Sequence, residues 1–304
     1  MKKLILLILI LAALLCGCSP QEPSAQIAAT TLPVYEFTVR LCEGTGLTVT
    51  RLVTEPVSCL HDYSLNVRQV RAAEAADLLI ISGAGLEDFM EGLFDGKSVI
   101  DSSAGIALIE GSHAHNHDDG EESHEVHDHA QTSHEGHHHE EDPHIWLSPE
   151  NAKIMARNIC GGLSAQYPQF AETFALNLTL LQSELDTLQT YGEAQLSSLA
   201  CRELITFHDG FAYLAESFDL TILEAVEEES GSEASAAELI HLIEEVRHHS
   251  LPAVFTETNG SVSAAWIIAD ETGAKIFALD MVMDGDSYFD AMYRNIDTLK
   301  GALE

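Results

Sequence analysis

Four residues far apart in the chain stand where side chains can meet around one ion: His61, His144, His208 and Asp280. His61 lies in Cys59-Leu60-His61-Asp62-Tyr63, a few residues past an apolar run that ends at Val53. His144 lies in Asp142-Pro143-His144-Ile145-Trp146-Leu147-Ser148-Pro149, just ahead of a helical stretch that Ser148 or Asn151 can cap. His208 directly follows the run Leu204 to Phe207, and Asp280 directly follows Lys275 to Leu279. Three neutral imidazoles and one carboxylate make a four-coordinate N/O set suited to Zn²⁺, with bonds of roughly 2.0 to 2.2 Å. That many imidazoles disfavours the harder cations, which prefer oxygen. Each residue alone reads as a polar loop residue or a hydrogen-bonded histidine; the joint pattern carries the reading.

A second set of imidazoles supports metal chemistry. Ten of the sixteen histidines fall in one stretch: His113, His115, His117, His124, His127, His129, His134, His137, His138 and His139. From Gly111 to Asp142 the chain is almost wholly His, Asp, Glu, Ser, Gly and Ala, so it buries too little apolar surface to offset chain entropy and reads as a mobile inserted loop. Its interleaved imidazoles and carboxylates offer many weak, exchanging metal sites. Within it, His134-Glu135-Gly136-His137-His138 matches the H-E-x-x-H zinc-protease pattern, but a segment this repetitive produces the match by composition and has no apolar face to hold the helix. Ser82-Gly83-Ala84-Gly85 resembles a phosphate-binding turn, yet Glu87 and Asp88 follow it and the third glycine is missing, so a plain βα turn is expected. His241, His248 and His249, on or just past the Glu-rich pattern Ala237 to Arg247, read as a solvated face, and Glu227-Glu228-Glu229 as a surface loop.

The elements that must position these groups follow from the apolar pattern. Runs at Ile27 to Thr31, Thr48 to Val53, Leu78 to Ser82 and Ser98 to Asp101 alternate with helical patterns such as Ser64 to Ala75, the signature of βα units around a parallel sheet. The alternation returns at Leu204 to Phe207, Leu220 to Leu223, Ala253 to Thr256 and Lys275 to Leu279. The expected fold is α/β, with two βα lobes on parallel sheets joined by a long rigid helix. That helix covers Ala171 to Leu199, which has no proline and only Gly192 as a breaker; at 1.5 Å per residue it extends roughly 40 Å. In open parallel sheets ligands bind beyond the carboxyl ends of the strands, where three of the four candidates fall. The expected divisions are 1–17 signal peptide, 18–26 lipidated tether, 27–170 first lobe with the loop 111–142, 171–199 linker helix and 200–304 second lobe.

Composition narrows the classes further. The 304 residues, 46% hydrophobic, suffice for one large core or two ordinary ones. With 49 acidic against 14 basic side chains the formal charge is −35, which repels phosphate backbones and concentrates cations, so nucleic acid is not expected as a partner. Lys2 and Lys3 ahead of the apolar run Leu4 to Leu15 read as an export signal too short to span a membrane, and losing them takes the charge from −35 to −37. Leu15-Cys16-Gly17-Cys18 resembles a bacterial lipoprotein cleavage site, with Cys18 the lipidated first residue and Ser19 to Gln26 a flexible tether. Cys42, Cys59, Cys160 and Cys201 then remain in a compartment that permits disulfides; four cysteines allow three pairings, of which Cys42 with Cys59 would brace the loop carrying His61. Buried unpaired thiols are the alternative.

At this point the sequence resembles a known family, the zinc-type solute-binding proteins of bacterial metal-ion ABC transporters, the cluster A-I receptors. The resemblance covers Ile27 to the C-terminus. It rests on His61-Asp62-Tyr63-Ser64-Leu65 followed by Ala76-Asp77-Leu78, on Asp142-Pro143-His144-Ile145-Trp146-Leu147-Ser148-Pro149, on Phe207-His208-Asp209-Gly210-Phe211-Ala212-Tyr213, and on Glu271-Thr272-Gly273-Ala274-Lys275 leading to Leu279-Asp280. The resemblance implies that His61, His144 and His208 bind the metal and that Asp280 completes or adjoins the site. It implies zinc over manganese because manganese-type relatives tend to carry glutamate at the position of His208, and many zinc members carry a histidine-rich loop where His113 to His139 sits. Where the family commonly reads Leu-Asp-Pro-Leu this chain has Leu279-Asp280-Met281-Val282, so Asp284, Asp286 or a water stand as alternatives to Asp280. The expectation is an extracytoplasmic, lipid-anchored, monomeric zinc receptor that delivers Zn²⁺ to an ABC permease and its ATPase, without turnover. Its rivals are a receptor of the same build for manganese or another divalent ion, a surface adhesin or zinc-buffering protein, and a zinc hydrolase using Glu257 as base.

Overall fold

The computed structural model describes residues 26–57, 60, 63–111, 141–226 and 234–304. Strands β1 (Ile27–Ala29), β2 (Val49–Arg51), β3 (Leu78–Ile81) and β4 (Ser98–Asp101) form a four-stranded sheet in the order β2-β1-β3-β4, every neighbouring pair parallel. Helices α1 (Leu32–Leu41) and α2 (Val67–Ala75) make the crossovers. The second lobe repeats the plan: β5 (Glu203–Thr206), β6 (Thr221–Ala225), β7 (Ala253–Glu257) and β8 (Lys275–Leu279) pair in the order β6-β5-β7-β8, all parallel, with α5 (Ala212–Ser217), α6 (Ala236–His249) and α7 (Ser263–Thr272) between them. The central strands β3 and β7 are buried along their whole length, as continuous apolar runs covered on both faces must be.

Between the lobes run α3 (Pro149–Gln166) and α4 (Ala171–Leu196), and α8 (Tyr288–Leu303) closes the chain. Ser148 caps α3 by accepting from the Asn151 amide, with Pro149 in the first turn where no amide donor is needed. Helix α4 is unbroken and reaches about 39 Å at 1.5 Å per residue. Gly192 breaks nothing; it is buried, and a β-carbon there would come within 2.2 Å of Phe218, so its role is to let that ring lie against the helix. Helix α4 ends at Leu196, three residues short of the expected Leu199, and α2 begins at Val67, where Asn66 closes a capping box with Gln69.

One apolar core serves both lobes. Phe37 of α1, Trp146, Phe174 and Leu188 of α4, and Tyr288 and Ile296 of α8 are fully buried in it, with the Phe37 and Tyr288 rings packed edge to face at 4.9 Å. Polar ties cross the same seam: Trp146 Nε1 donates to Met281 O at 2.8 Å, Tyr288 Oη donates to Trp146 O at 2.8 Å, and Arg51 Nη1 donates to Gly285 O at 2.7 Å. No helix among the described residues is long and apolar enough to cross a membrane.

The glycine-containing turn after β3 holds an anion of its own. Glu87 is buried, and its carboxylate accepts from Thr30 Oγ1 at 2.6 Å, from the Ser82 amide at 2.8 Å and from the Gly83 amide at 3.0 Å. The amides that could have cradled a phosphate are therefore spent on a side chain, in agreement with a plain βα turn. Burial pushes the Glu87 carboxyl up to about 7 despite these three donors. Cys42 follows α1, which carries it to the end of the sheet opposite the strand carboxyl ends. It is a buried thiol pushed up to about 12 by desolvation, and Cys42, Cys160 and Cys201 are free among the described residues. The expected Cys42 to Cys59 bridge involves Cys59, which lies outside the described residues.

Candidate metal centre

The segment Asp142 to Leu147 places the first histidine. Asp142 Oδ1 accepts from the His144 amide at 2.8 Å and lies 2.7 Å from His144 Nδ1, both side chains being buried. A carboxylate oxygen only accepts, so Nδ1 carries the ring proton and Nε2 presents its lone pair. A short 3₁₀ turn over Ile145–Leu147 then buries Trp146, whose ring meets His144 edge to face at 5.4 Å.

The second histidine comes from the other lobe. His208 stands two residues beyond the end of β5, with Thr206 Oγ1 donating to its carbonyl at 3.1 Å. Its ring lies 5.3 Å from that of His144, centroid to centroid and nearly perpendicular, and His208 Nε2 is buried with no hydrogen-bond partner among the described residues. Buried polar nitrogens are rarely left so, and two imidazoles meeting edge to face across a lobe boundary suit a shared cation. Gly210 makes this approach possible: a β-carbon there would lie 2.8 Å from His208 Cδ2, 2.9 Å from His144 Cε1 and 2.6 Å from Met281 Cε.

Carboxylates line the approach. Glu257, the last residue of β7, places Oε2 3.9 Å from His208 Nδ1, an electrostatic contact beyond hydrogen-bond length. Glu257, Asp280 and Asp284 line a small solvent-open cleft whose other walls are Val57, Thr258, Asn259, Met281 and Met283. Three carboxylates at one mouth raise the local concentration of cations. Asp280 follows β8 directly, and both of its oxygens are engaged: Oδ1 accepts from the Val282 amide at 2.7 Å and Oδ2 from Arg294 Nη2 at 3.2 Å. Each carboxylate oxygen retains a further lone pair, so Asp280 can still adjoin an ion. The turn it caps puts Val282, fully buried, at φ 61°, a strained region for a β-branched residue and the kind of local cost that clusters around binding sites.

Of the four residues singled out in the sequence, the structure brings His144 and His208 together and sets Asp280 at the mouth of the adjacent cleft. His61, the ten histidines from His113 to His139, Cys18 and Glu227 to Glu229 lie outside the described residues. Among the described residues no three His, Cys, Asp or Glu side chains form a complete metal cage. Asp284 also lines the cleft, where Asn259 Nδ2 donates to it. His241 is exposed beside Glu224, whereas His249 is partly buried between Glu203 and Glu245. Sequence reasoning gave no role to Asp142 or Tyr213. The Asp-Pro-His spacing was the available signal for the first; nothing local marks the second.

Comparison with known proteins finds relatives named for zinc binding and zinc uptake. Residues 27–302 match the family described as zinc-uptake complex component A, periplasmic (ZnuA). The chain is 32% identical over 322 aligned residues to the zinc-binding lipoprotein AdcA of Streptococcus pneumoniae, an alignment that takes in 99% of this chain and 61% of AdcA. The chain thus spans about 61% of that relative's length. It is 30% identical to the high-affinity zinc uptake system protein ZnuA of Bacillus subtilis, over 95% of this chain and 92% of the relative. Among solved structures, a crystal structure of ZnuA superposes with a TM-score of 0.74 at 26% identity, covering 92% of this chain and all of that one. Zn(II)-bound AdcA from Streptococcus pneumoniae gives 0.71 at 26% identity, over 91% of this chain and 57% of that one.

Proposed function

Because the chain belongs to the family of periplasmic zinc-uptake component A proteins, we propose that it is an extracytoplasmic zinc receptor that captures Zn²⁺ between its lobes and delivers it to an ABC permease driven by its ATPase. The observation that carries the reading is the buried pair His144 and His208, one from each lobe, with a ring contact of 5.3 Å and a His208 Nε2 that has no partner among the described residues. In this reading Asp142 fixes the tautomer of His144 so that Nε2 faces the ion, as carboxylate partners of metal-bound histidines do. His61 supplies the third imidazole, and Asp280 or a water completes the four-coordinate shell. Zinc is cargo here: it is bound and released with no bond made or broken in a substrate, so the protein is a receptor and not an enzyme.

The reading extends to the two ends of the process. Residues 1–17 act as an export signal, Cys18 carries the lipid that holds a monomeric body at the membrane through the tether 18–26, and the loop 111–142 gathers zinc weakly near the cleft. The relatives named for zinc binding and zinc uptake support the cargo assignment.

The test is a chelator competition on the full chain. One zinc is expected to bind far more tightly than the rest, and His208→Ala is expected to weaken that site by orders of magnitude while leaving the weaker ones. Equal tight-site affinity in the variant removes His208 from the site. Rescue of growth in zinc-depleted medium then separates transport from buffering.

A further inference from the structure

Tyr213 lies on α5, five residues beyond His208, and is 2% exposed. Its hydroxyl donates to Asp142 O at 2.9 Å and accepts from the Ile109 amide at 3.0 Å. Both partners belong to the first lobe. They are joined to each other by the Asp142 amide donating to Ile109 O at 2.8 Å, and one step further out Glu110 and Glu141 form an antiparallel bridge. Asp142 is also the residue whose carboxylate holds His144 Nδ1 at 2.7 Å. One phenol thus connects the helix that follows His208 to the backbone of the residue whose carboxylate orients His144. On the far side of His144 the segment is already gripped by the second lobe through Trp146 Nε1 to Met281 O and Tyr288 Oη to Trp146 O. Tyr213 supplies the matching grip on the near side.

From this geometry we infer that Tyr213 is a positioning residue for the metal centre: its hydroxyl sets the spacing of His144 against His208 across the lobe boundary, and with it the tightness of the zinc site. A phenol suits the task because one group can both donate and accept. Burial pushes Tyr213 up to about 12, so it keeps its proton, and both bonds, throughout the neutral range. Outer partners of this kind fix ligands by lowering the freedom of the groups that hold them.

The inference rests on reading His144 and His208 as zinc ligands, and the experiment keeps the two claims apart. In the full chain, Tyr213→Phe, Tyr191→Phe and His208→Ala are compared with the parent by zinc competition against a chromophoric chelator and by the ligand-field spectrum with one equivalent of Co²⁺. Tyr191 is the control because, among the described residues, its hydroxyl bonds Asp297 alone, on an exposed face. Tyr213→Phe is expected to weaken the tight site about 10- to 100-fold and to shift the Co²⁺ bands; Tyr191→Phe does neither. Parent-like affinity and bands in Tyr213→Phe, with both lost in His208→Ala, overturn the inference alone. Parent-like affinity in His208→Ala overturns it together with the zinc-site reading. A measurement that needs no variant is hydrogen exchange at the Ile109 amide of the parent. Slower exchange on adding one equivalent of zinc supports the inference, and an unchanged rate overturns it.

Discussion

Replacing Gly210 by alanine adds a single carbon at the point where the two lobes' histidines meet. The added atom would stand 2.8 Å from His208 Cδ2 and 2.9 Å from His144 Cε1, against an ordinary carbon contact of about 3.5 Å or more, so roughly 0.6 to 0.7 Å of room is missing on each side. Met281 Cε, at 2.6 Å, is the end of a flexible side chain and can swing away. The His144 ring cannot, because Asp142 holds Nδ1 and Trp146 is tied to Met281 O. The displacement therefore falls mainly on His208, whereas zinc–ligand distances tolerate only about 0.2 Å. Overpacking of this size costs about 1 to 3 kcal/mol, which appears as zinc affinity weakened roughly 5- to 150-fold if the rings move to absorb it. The assay is zinc competition on the full-length variant, with thermal unfolding of the zinc-free protein to show that it folds. Unchanged tight-site affinity, whether or not the zinc-free protein loses stability, refutes the reasoning.

Other expectations follow from the same geometry. Asp142→Asn keeps an acceptor near His144 but removes the charge behind Nδ1, and zinc affinity should fall about 10- to 100-fold, read by the same competition. Gly192→Ala drives a methyl group to within 2.2 Å of Phe218 and should lower the stability of the zinc-free protein by about 1 to 3 kcal/mol in urea unfolding, with zinc affinity intact. Glu87 gives a pH signature. The folded state binds its proton more tightly than the unfolded chain, so its stabilising contribution is complete below the ordinary value of 4.5, declines as pH rises and is gone above about 7. The span amounts to about 3 kcal/mol. The difference in stability between Glu87→Gln and the zinc-free parent should change by that order between pH 4.5 and 8, and parallel curves would contradict it.

The strands were legible because β3 and β7 are short apolar runs, and the strand bounds of β4 and β8 coincide with the runs read in the sequence. His144 and His208 were legible for the same reason: each sits in a distinctive motif at a strand or helix boundary, a position fixed by local pattern. What the sequence could not carry is pairing over distance. The donors that hold Glu87 come from Thr30 and from Ser82 and Gly83, 57 residues and only a few residues away respectively. Arg294 reaches Asp280 from the last helix, and no spacing rule links the two. Tyr213 closes the motif that begins at Phe207, but its role depends on Asp142 and Ile109 of the other lobe. The helix runs through Gly192 as expected, but the purpose of that glycine depends on Phe218, which no local pattern links to it.

The shared core constrains how the protein is made. Tyr288 of the closing helix packs against the Phe37 ring and bonds the Trp146 carbonyl, residues that leave the ribosome long before it. A chain made N-terminus first cannot finish its leading half until its final segment arrives, because part of that half's interior is supplied by the last residues synthesised. Truncations near the C-terminus are therefore damaging to regions more than two hundred residues upstream.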